Sequence, residues 1–292
     1  MSYHTLQRLI VRMLFDSSLV VSVYTNPDEA LANIDITVGE RAQLLAIDRR
    51  CWAYDPLRRR RTLRTLVEEF KISSTLALAE TRSLAYLENF FSSDLFHQSV
   101  AERGSLGFAF ARYLADACQA GRLKTTQLPD VLRLETMLAG CRREVSSMGR
   151  RHTPTLPSVV SDTAKVRLAA GVNVGRFQAN VIKTIQRVEQ YLFEVNLMPA
   201  MVLCDDAPRL DQLPEVDTHN KVYLFFTPGS NGISLVNIKR ADYIVLVEAR
   251  NPCTIQQLTM RAVASGVNSK KAQEIITEAL EQETLVLDKQ SS

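Results

Sequence analysis

From Leu6 to about Glu144, apolar residues recur at spacings of three and four, the period of an amphipathic helix. In LQRLIVRML, Leu6, Leu9, Ile10, Met13 and Leu14 form one apolar stripe. Thr25-Asn26-Pro27 interrupts it, and a short helix is expected over 27–33. Thr37 followed by Glu40 has the spacing of a capping box, which opens a helix over 40–54. Asp55-Pro56 starts the next, with proline in the first turn where its missing N–H costs nothing. That helix turns Leu57, Leu63, Leu66, Val67 and Phe70 inward. Further helices are expected over 74–87, 92–97 and 107–120. After the Gly121 break, Leu128-Pro129-Asp130 opens another that runs to about 145.

The pattern then changes. SSMGRRHTPTLPSVVSD, residues 146–162, holds two prolines, four serines and two threonines and has no periodicity, the composition of a linker. The expected organisation is a helical domain over 1–148, a linker over 149–161 and a second domain over 162–292. In the second domain Val166, Leu168, Val172 and Val174 alternate with polar or small residues around Gly171, which predicts two short strands. Val181, Ile185, Val188 and Leu192 restore a helical stripe over 179–195. A buried strand is expected over 200–204 and a polar loop over 208–220. Two more strands, 222–226 and 233–238, flank Pro228-Gly229-Ser230-Asn231-Gly232 as a hairpin. Helices follow over 240–249, 254–264 and 268–283, then an apolar tail over 284–287. The fold class expected is α+β: an all-helical domain, then a winged-helix-like domain of a small antiparallel sheet and three helices.

A chain of 292 residues, 46% hydrophobic and 23% charged, has the composition of a globular protein that buries a proper core. No apolar run approaches the length of a membrane span. The N-terminal MSYHTLQRLIVRMLF carries charges inside its apolar stretch and reads as a first helix, not a signal peptide. The expected location is the cytoplasm. A net charge of +3 does not by itself point to nucleic acid. The five cysteines and four histidines stand isolated from one another, without the short ligand spacings of a dedicated metal site. Buried small hydrophobes and stray thiols are the plain reading of the cysteines.

Ala262, Ala264 and Gly266-Val267-Asn268 before a last helix have the pattern of a helix-turn-helix, with Gly266 in the turn and Asn268 as the cap. The second helix sets Lys270, Lys271 and Gln273 against Glu274, Glu278, Glu281 and Glu283. That charge is the reverse of what phosphate contacts require, although a winged-helix DNA-binding regulator remains the alternative reading. Arg58, Arg59, Arg60, Arg61 and Arg64 form the densest basic run. It reads as a solvated face with some pairing to nearby acids, or as a docking surface for an acidic partner. Among these, Arg58, Arg59 and Arg61 are the docking candidates. No phosphate loop, nucleophile elbow, zinc-protease helix or paired catalytic carboxylates occur, so the chain is expected not to be an enzyme by itself. The hairpin remains. A small sheet has edges, and an edge strand can accept an extended peptide. Residues 232–237 are the candidate edge, and Ala272, Ile275, Ile276, Ala279 and Leu280 on the last helix could wall a groove beside it or simply pack on the sheet.

Three strands ending in a hairpin and followed by three helices resemble the peptide-recognition element of ribosomal-peptide maturation systems. Asp16, the Asn26-Pro27 break, ITVGERAQLLAIDRRCWAYDPLRRRRTLRTLVEEF and LPDVLRLETML are similar to the helical domain of partner proteins for multinuclear non-haem iron oxidative enzymes. Such partners serve methanobactin and 3-thiaglutamate biosynthesis, and the latter is the better match. The resemblance implies a non-catalytic subunit without a cofactor of its own, the iron lying in a separate barrel-fold enzyme. It implies two partners, that enzyme and a precursor or carrier peptide, with neither nucleic acid nor membrane. The peptide's leader would pair with Ile233, Ser234, Leu235, Val236, Asn237 and Ile238 and lie against the helix from Lys270 to Glu281. Its C-terminal cysteine would then be presented to the iron enzyme for excision of the β-carbon.

Overall fold

In the computed structural model the chain is described over residues 2–53, 57–148, 161–196, 209–229 and 232–288. It mixes helices with two antiparallel three-stranded sheets and divides into two compact units. One comprises Met1–Leu132 and Ile185–Gln212, the other Arg133–Thr184 and Leu213–Ser292. The division falls inside a helix, at Leu132, and nearly all of the expected linker, 149–161, lies outside the described residues.

The first unit contains α1 (Ser2–Phe15), α2 (Ser17–Thr25), α3 (Pro27–Ala30), α4 (Val38–Ala46), α5 (Leu57–Glu69), α6 (Lys71–Thr81), α7 (Leu84–Glu88), α8 (Asp94–Ala101) and α9 (Leu106–Gln119). Thr37 and Glu40 close the capping box of α4 as expected. The helix expected over 40–54 stops early, however, and a 3₁₀ turn, Arg49–Ala53, follows it. Asp48 captures the Arg50 amide at 2.9 Å, an Asx bond that competes with helix continuation. The helix expected over 74–87 is likewise two helices, because Arg82 adopts a left-handed φ of 53° between them. Leu9, Met13, Val20, Val23, Leu31 and Leu44 make one buried cluster. Phe90 stands at the centre of another, edge-on to Phe96 at 5.6 Å and to Phe110 at 5.3 Å. Leu63, Leu66 and Phe70 are buried as the stripe required, whereas Leu57 is exposed.

The second unit begins in α10 (Leu128–Met148), which starts in the first unit. It includes β1 (Lys165–Leu168), β2 (Asn173–Gln178), the start of α11 (Val181–Asn196), β3 (Lys221–Gly229) and β4 (Gly232–Ile238). After the hairpin come α12 (Arg240–Glu248), β5 (Cys253–Thr254), α13 (Ile255–Ala264), α14 (Ser269–Glu281) and β6 (Leu285–Leu287). The two strands around Gly171 form where expected but join different sheets, β1 between β5 and β6, and β2 beside β3 in the order β2-β3-β4. The hairpin ladder runs up to the Gly229–Gly232 pair, and only Ser230 and Asn231 lie beyond it, outside the described residues. The strand expected over 200–204 lies outside them too.

The β2-β3-β4 sheet is covered on both faces. On one, Phe177, Leu224 and Phe226 are buried. Arg133 of α10 lies over the Phe177 ring at 4.5 Å, and Met137 of α10 lies close to Gly175. On the other, Val174 and the half-buried Phe225 and Ile238 join a core with Val245, Leu246, Leu258, Ile276 and Leu280. There Tyr223 and Tyr243 stack at 4.9 Å.

Gly171 couples α10 to this sheet. Its φ is +79°, its amide donates to Glu144 Oε2 at 2.7 Å, and a Cβ there would collide with Val145 and lie 3.1 Å from Pro228. Gly266 is also left-handed, at φ +90°, but has open space around its would-be Cβ. Gly266→Ala should therefore cost only the backbone strain, roughly 1 kcal/mol, while Gly171→Ala adds a steric term and should cost about 2–4 kcal/mol. Urea denaturation of the two variants measures the difference; equal costs would mean that α10 does not press on the β3–β4 hairpin.

Candidate functional site

The candidate site is the outer edge of β4. In a β-strand the N–H and C=O of one residue point to the same side, and successive residues alternate. Pro228 has no N–H, and it pairs with Ile233. This register places Thr227, Phe225 and Tyr223 in the hydrogen-bonded pairs with Ser234, Val236 and Ile238. Ile233, Leu235 and Asn237 then turn their N–H and C=O groups away from β3. Among the described residues nothing bonds to those outward groups.

The opposite edge of the same sheet is capped at one position. On β2 the outward residue next to Asn173 is Val174. Its N–H donates to Asn173 Oδ1 at 2.9 Å, and its carbonyl accepts from the Arg250 guanidinium, which also bonds Asn173 Oδ1 at 3.0 Å. Val174 on one edge is thus capped by side chains, whereas the outward groups of Ile233, Leu235 and Asn237 have no partner among the described residues. No pattern in the sequence marked Asn173 and Arg250 for this role, since they lie 77 residues apart.

Side chains flank the bare edge on both faces. Leu235 follows the face of Phe226 and is 38% exposed; Val236 follows the face of Phe225 and is 47% exposed. A strand laid along β4 would meet an apolar side chain whichever face its own residues pointed to. Ile233 and Ile238 are half-buried, and Ser234 and Asn237 are exposed.

The groove wall expected on the last helix needs correction. Ala272, Ile275, Ile276, Ala279 and Leu280 are all buried in the core of the second unit. α14 packs on α12, α13 and β6, so its apolar stripe is consumed within the unit and lines no open groove. The turn before it forms as read: Gly266 is left-handed and Asn268 accepts from the Lys270 amide at 2.9 Å.

The docking arginines separate likewise. Arg58 donates to the Leu14 carbonyl at 3.5 Å, and Arg59 donates to the Glu88 carbonyl at 3.2 Å while lying over Phe91 at 5.5 Å. Both are half-buried and hold the helical unit together. Arg61 is exposed, as are Arg60 and Arg64, the last paired with Glu68 at 2.7 Å.

Two clusters could carry chemistry. Asp16 is buried and caps α2, accepting from the Ser18 amide at 3.0 Å, the Leu19 amide at 3.3 Å and Ser92 Oγ at 3.1 Å. His97 Nε2 lies 3.1 Å from Asp16 Oδ2, at ion-pair distance but without hydrogen-bond alignment. Arg12 lies 3.2 Å from His97 Nδ1. Ser92 and His97 tie Asp16, and with it the start of α2, to the 92–97 segment, which makes this an internal brace. Burial, with Glu144 nearby, pushes the Cys141 thiol up to about 11, and burial raises Cys253 and Cys118, which disfavours the thiolate at these three. Cys51 is exposed, and Cys204 lies outside the described residues. Among the described residues no three His, Cys, Asp or Glu side chains come together as metal ligands, and no helix is long and apolar enough to cross a membrane.

No protein-family model matches this chain, and no curated protein matches it.

The brace has a pH signature. Burial pushes the Asp16 carboxyl up, but the His97 ring beside it and the Ser18, Leu19 and Ser92 donors outweigh it and hold the group well below the ordinary carboxylate range. A depressed carboxylate contributes stability above its unfolded value of about 3.9, and that contribution is lost as pH falls toward the folded value. Asp16→Asn should therefore cost roughly 2–4 kcal/mol near pH 7 and progressively less below about pH 4. Denaturation of both proteins from pH 7 to pH 3 checks this; a constant difference would mean that Asp16 is not charged in the fold.

Proposed function

We propose that this protein is a peptide-recruiting subunit whose β4 edge takes up the leader of a ribosomally made precursor or carrier peptide as an added strand. The observation that carries the proposal is the row of N–H and C=O groups on Ile233, Leu235 and Asn237, which have no partner among the described residues, whereas Val174 on β2 is capped. An extended chain satisfies such a row whatever its sequence, and Leu235 and Val236 add apolar contact. The second unit then acts as a winged-helix-like recognition domain and the helical unit as the dock for a partner enzyme. By resemblance that enzyme is an iron-dependent oxidative enzyme of barrel fold, with β-carbon excision in the 3-thiaglutamate pathway as the favoured reaction. The chain needs no cofactor of its own in this arrangement, and a cytoplasmic location suits it. Holding the leader raises the local concentration of the peptide's reacting end at the iron site, to the millimolar range for a short flexible connection.

DNA recognition is less well supported. The exposed face of α14 sets Lys270 and Lys271 against Glu274, Glu278 and Glu281, where counterion release needs net positive charge.

Peptides selected from a displayed library of random extended sequences provide the test, with affinity read by fluorescence anisotropy. Leu235→Pro removes an outward N–H and should weaken binding by about tenfold to a hundredfold, roughly 1–3 kcal/mol. Leu235→Ala keeps the N–H and should cost less than about fivefold. Val236→Pro removes an N–H that faces β3, so it should weaken the hairpin itself, which circular dichroism would report. Wild-type affinity in a folded Leu235→Pro protein, or tight binding of a DNA duplex at moderate salt, would overturn the reading.

A further inference from the structure

An open pocket of about 300 Å³ lies in the helical unit, lined by Met13 and neighbouring residues of α1, Val20 and Val21 of α2, Trp52, Arg49 and Arg59. We propose that it binds a small apolar carboxylate, a role independent of the β4 edge.

Its volume is at the lower end of the range for small-molecule sites, about 300–1,000 Å³, so the occupant is small. The walls are mostly aliphatic and aromatic, which calls for an apolar body. Among the described residues the charges in the lining are the two guanidiniums of Arg49 and Arg59, with no acidic side chain. Charge complementarity therefore selects an anion.

The two arginines differ in a useful way. Arg59 is fixed by its bond to the Glu88 carbonyl and its place over Phe91. A guanidinium held in place this way can offer a carboxylate a charge-assisted bond. Arg49 is exposed, and among the described residues it has no ion-pair partner, because the adjacent Asp48 is taken by Arg50 at 2.6 Å. It stands at the pocket as the second cation. A carboxylate fits better than a phosphate because a monoanion on a short apolar body loses less hydration on entering a largely apolar pocket.

Trp52 supplies the rigid wall. Its Nε1–H donates to Tyr24 Oη at 2.9 Å, and Tyr24 donates in turn to the Ile47 carbonyl at 2.6 Å. It is also the single tryptophan of the chain, so intrinsic fluorescence reports on this pocket alone.

The test titrates the full-length protein with octanoate and N-acetyl-leucine, following Trp52 emission, with 1-octanol, octylamine and inorganic phosphate as controls. A saturable response to one or both carboxylates, at least about tenfold tighter than to the alcohol or the amine, is expected. Tighter octanoate binding would name a free fatty acid as the source, and tighter N-acetyl-leucine binding the C-terminal residue of a peptide. Arg49→Gln, at an exposed position, should weaken the response by about threefold to tenfold. Val21→Glu, also exposed, should abolish it by setting a carboxylate in the pocket. Equal binding of octanoate and 1-octanol, a response to phosphate alone, no saturable response, or an unchanged response in both variants would each overturn the proposal.

Discussion

The alternation of backbone groups along β3 is the constraint on which the second unit depends. Each residue of β3 serves only one neighbour, so Phe225 and Thr227 bond β4 while Leu224 and Phe226 bond β2. A three-stranded sheet built this way necessarily has two rows of outward polar groups. The chain treats them unequally. Asn173 and Arg250 cap Val174 in one row, and in the other Ile233, Leu235 and Asn237 have no partner among the described residues.

What surrounds the sheet keeps that edge in place. Arg133 and Met137 cover one face, and the core built from α12, α13 and α14 covers the other. Burial on both faces fixes the register of β3, because a slip of one residue would exchange Phe225 with Phe226 between unlike environments. Gly171, Glu144 and Val145 hold the end of α10 against the turn end of the hairpin. An edge strand held this firmly loses little conformational freedom when it pairs, so more of the backbone hydrogen bonding survives as affinity.

Much of this was legible in the sequence because it depends on local chemistry. The capping box at Thr37 and Glu40, the helices at 107–120 and 128–145, the hairpin and the three helices after it all rest on short-range periodicity and turn residues. The misses have long-range causes. A helical stripe shows that α10 buries a face but not which element it meets, so its passage at Leu132 from one unit to the other was invisible. The stripe of α14 has the same ambiguity: Ile276 and Leu280 read equally well as groove wall or as core, and they are core. Arg58 and Arg59 belong to a run that looks solvated, yet the carbonyls of Leu14 and Glu88 claim them from 44 and 29 residues away. The break after Ala46 was locally encoded, in Asp48, but competed with a strong apolar period.

Residue-resolved amide exchange of the free protein, repeated with a selected peptide, tests the open edge most directly. The account predicts an alternation along β4: fast exchange at Ile233, Leu235 and Asn237, slow exchange at Ser234, Val236 and Ile238, and new protection of the fast set when peptide is added. Uniform protection along β4 in the free protein, or peptide binding that leaves Ile233, Leu235 and Asn237 exchanging freely, would contradict it.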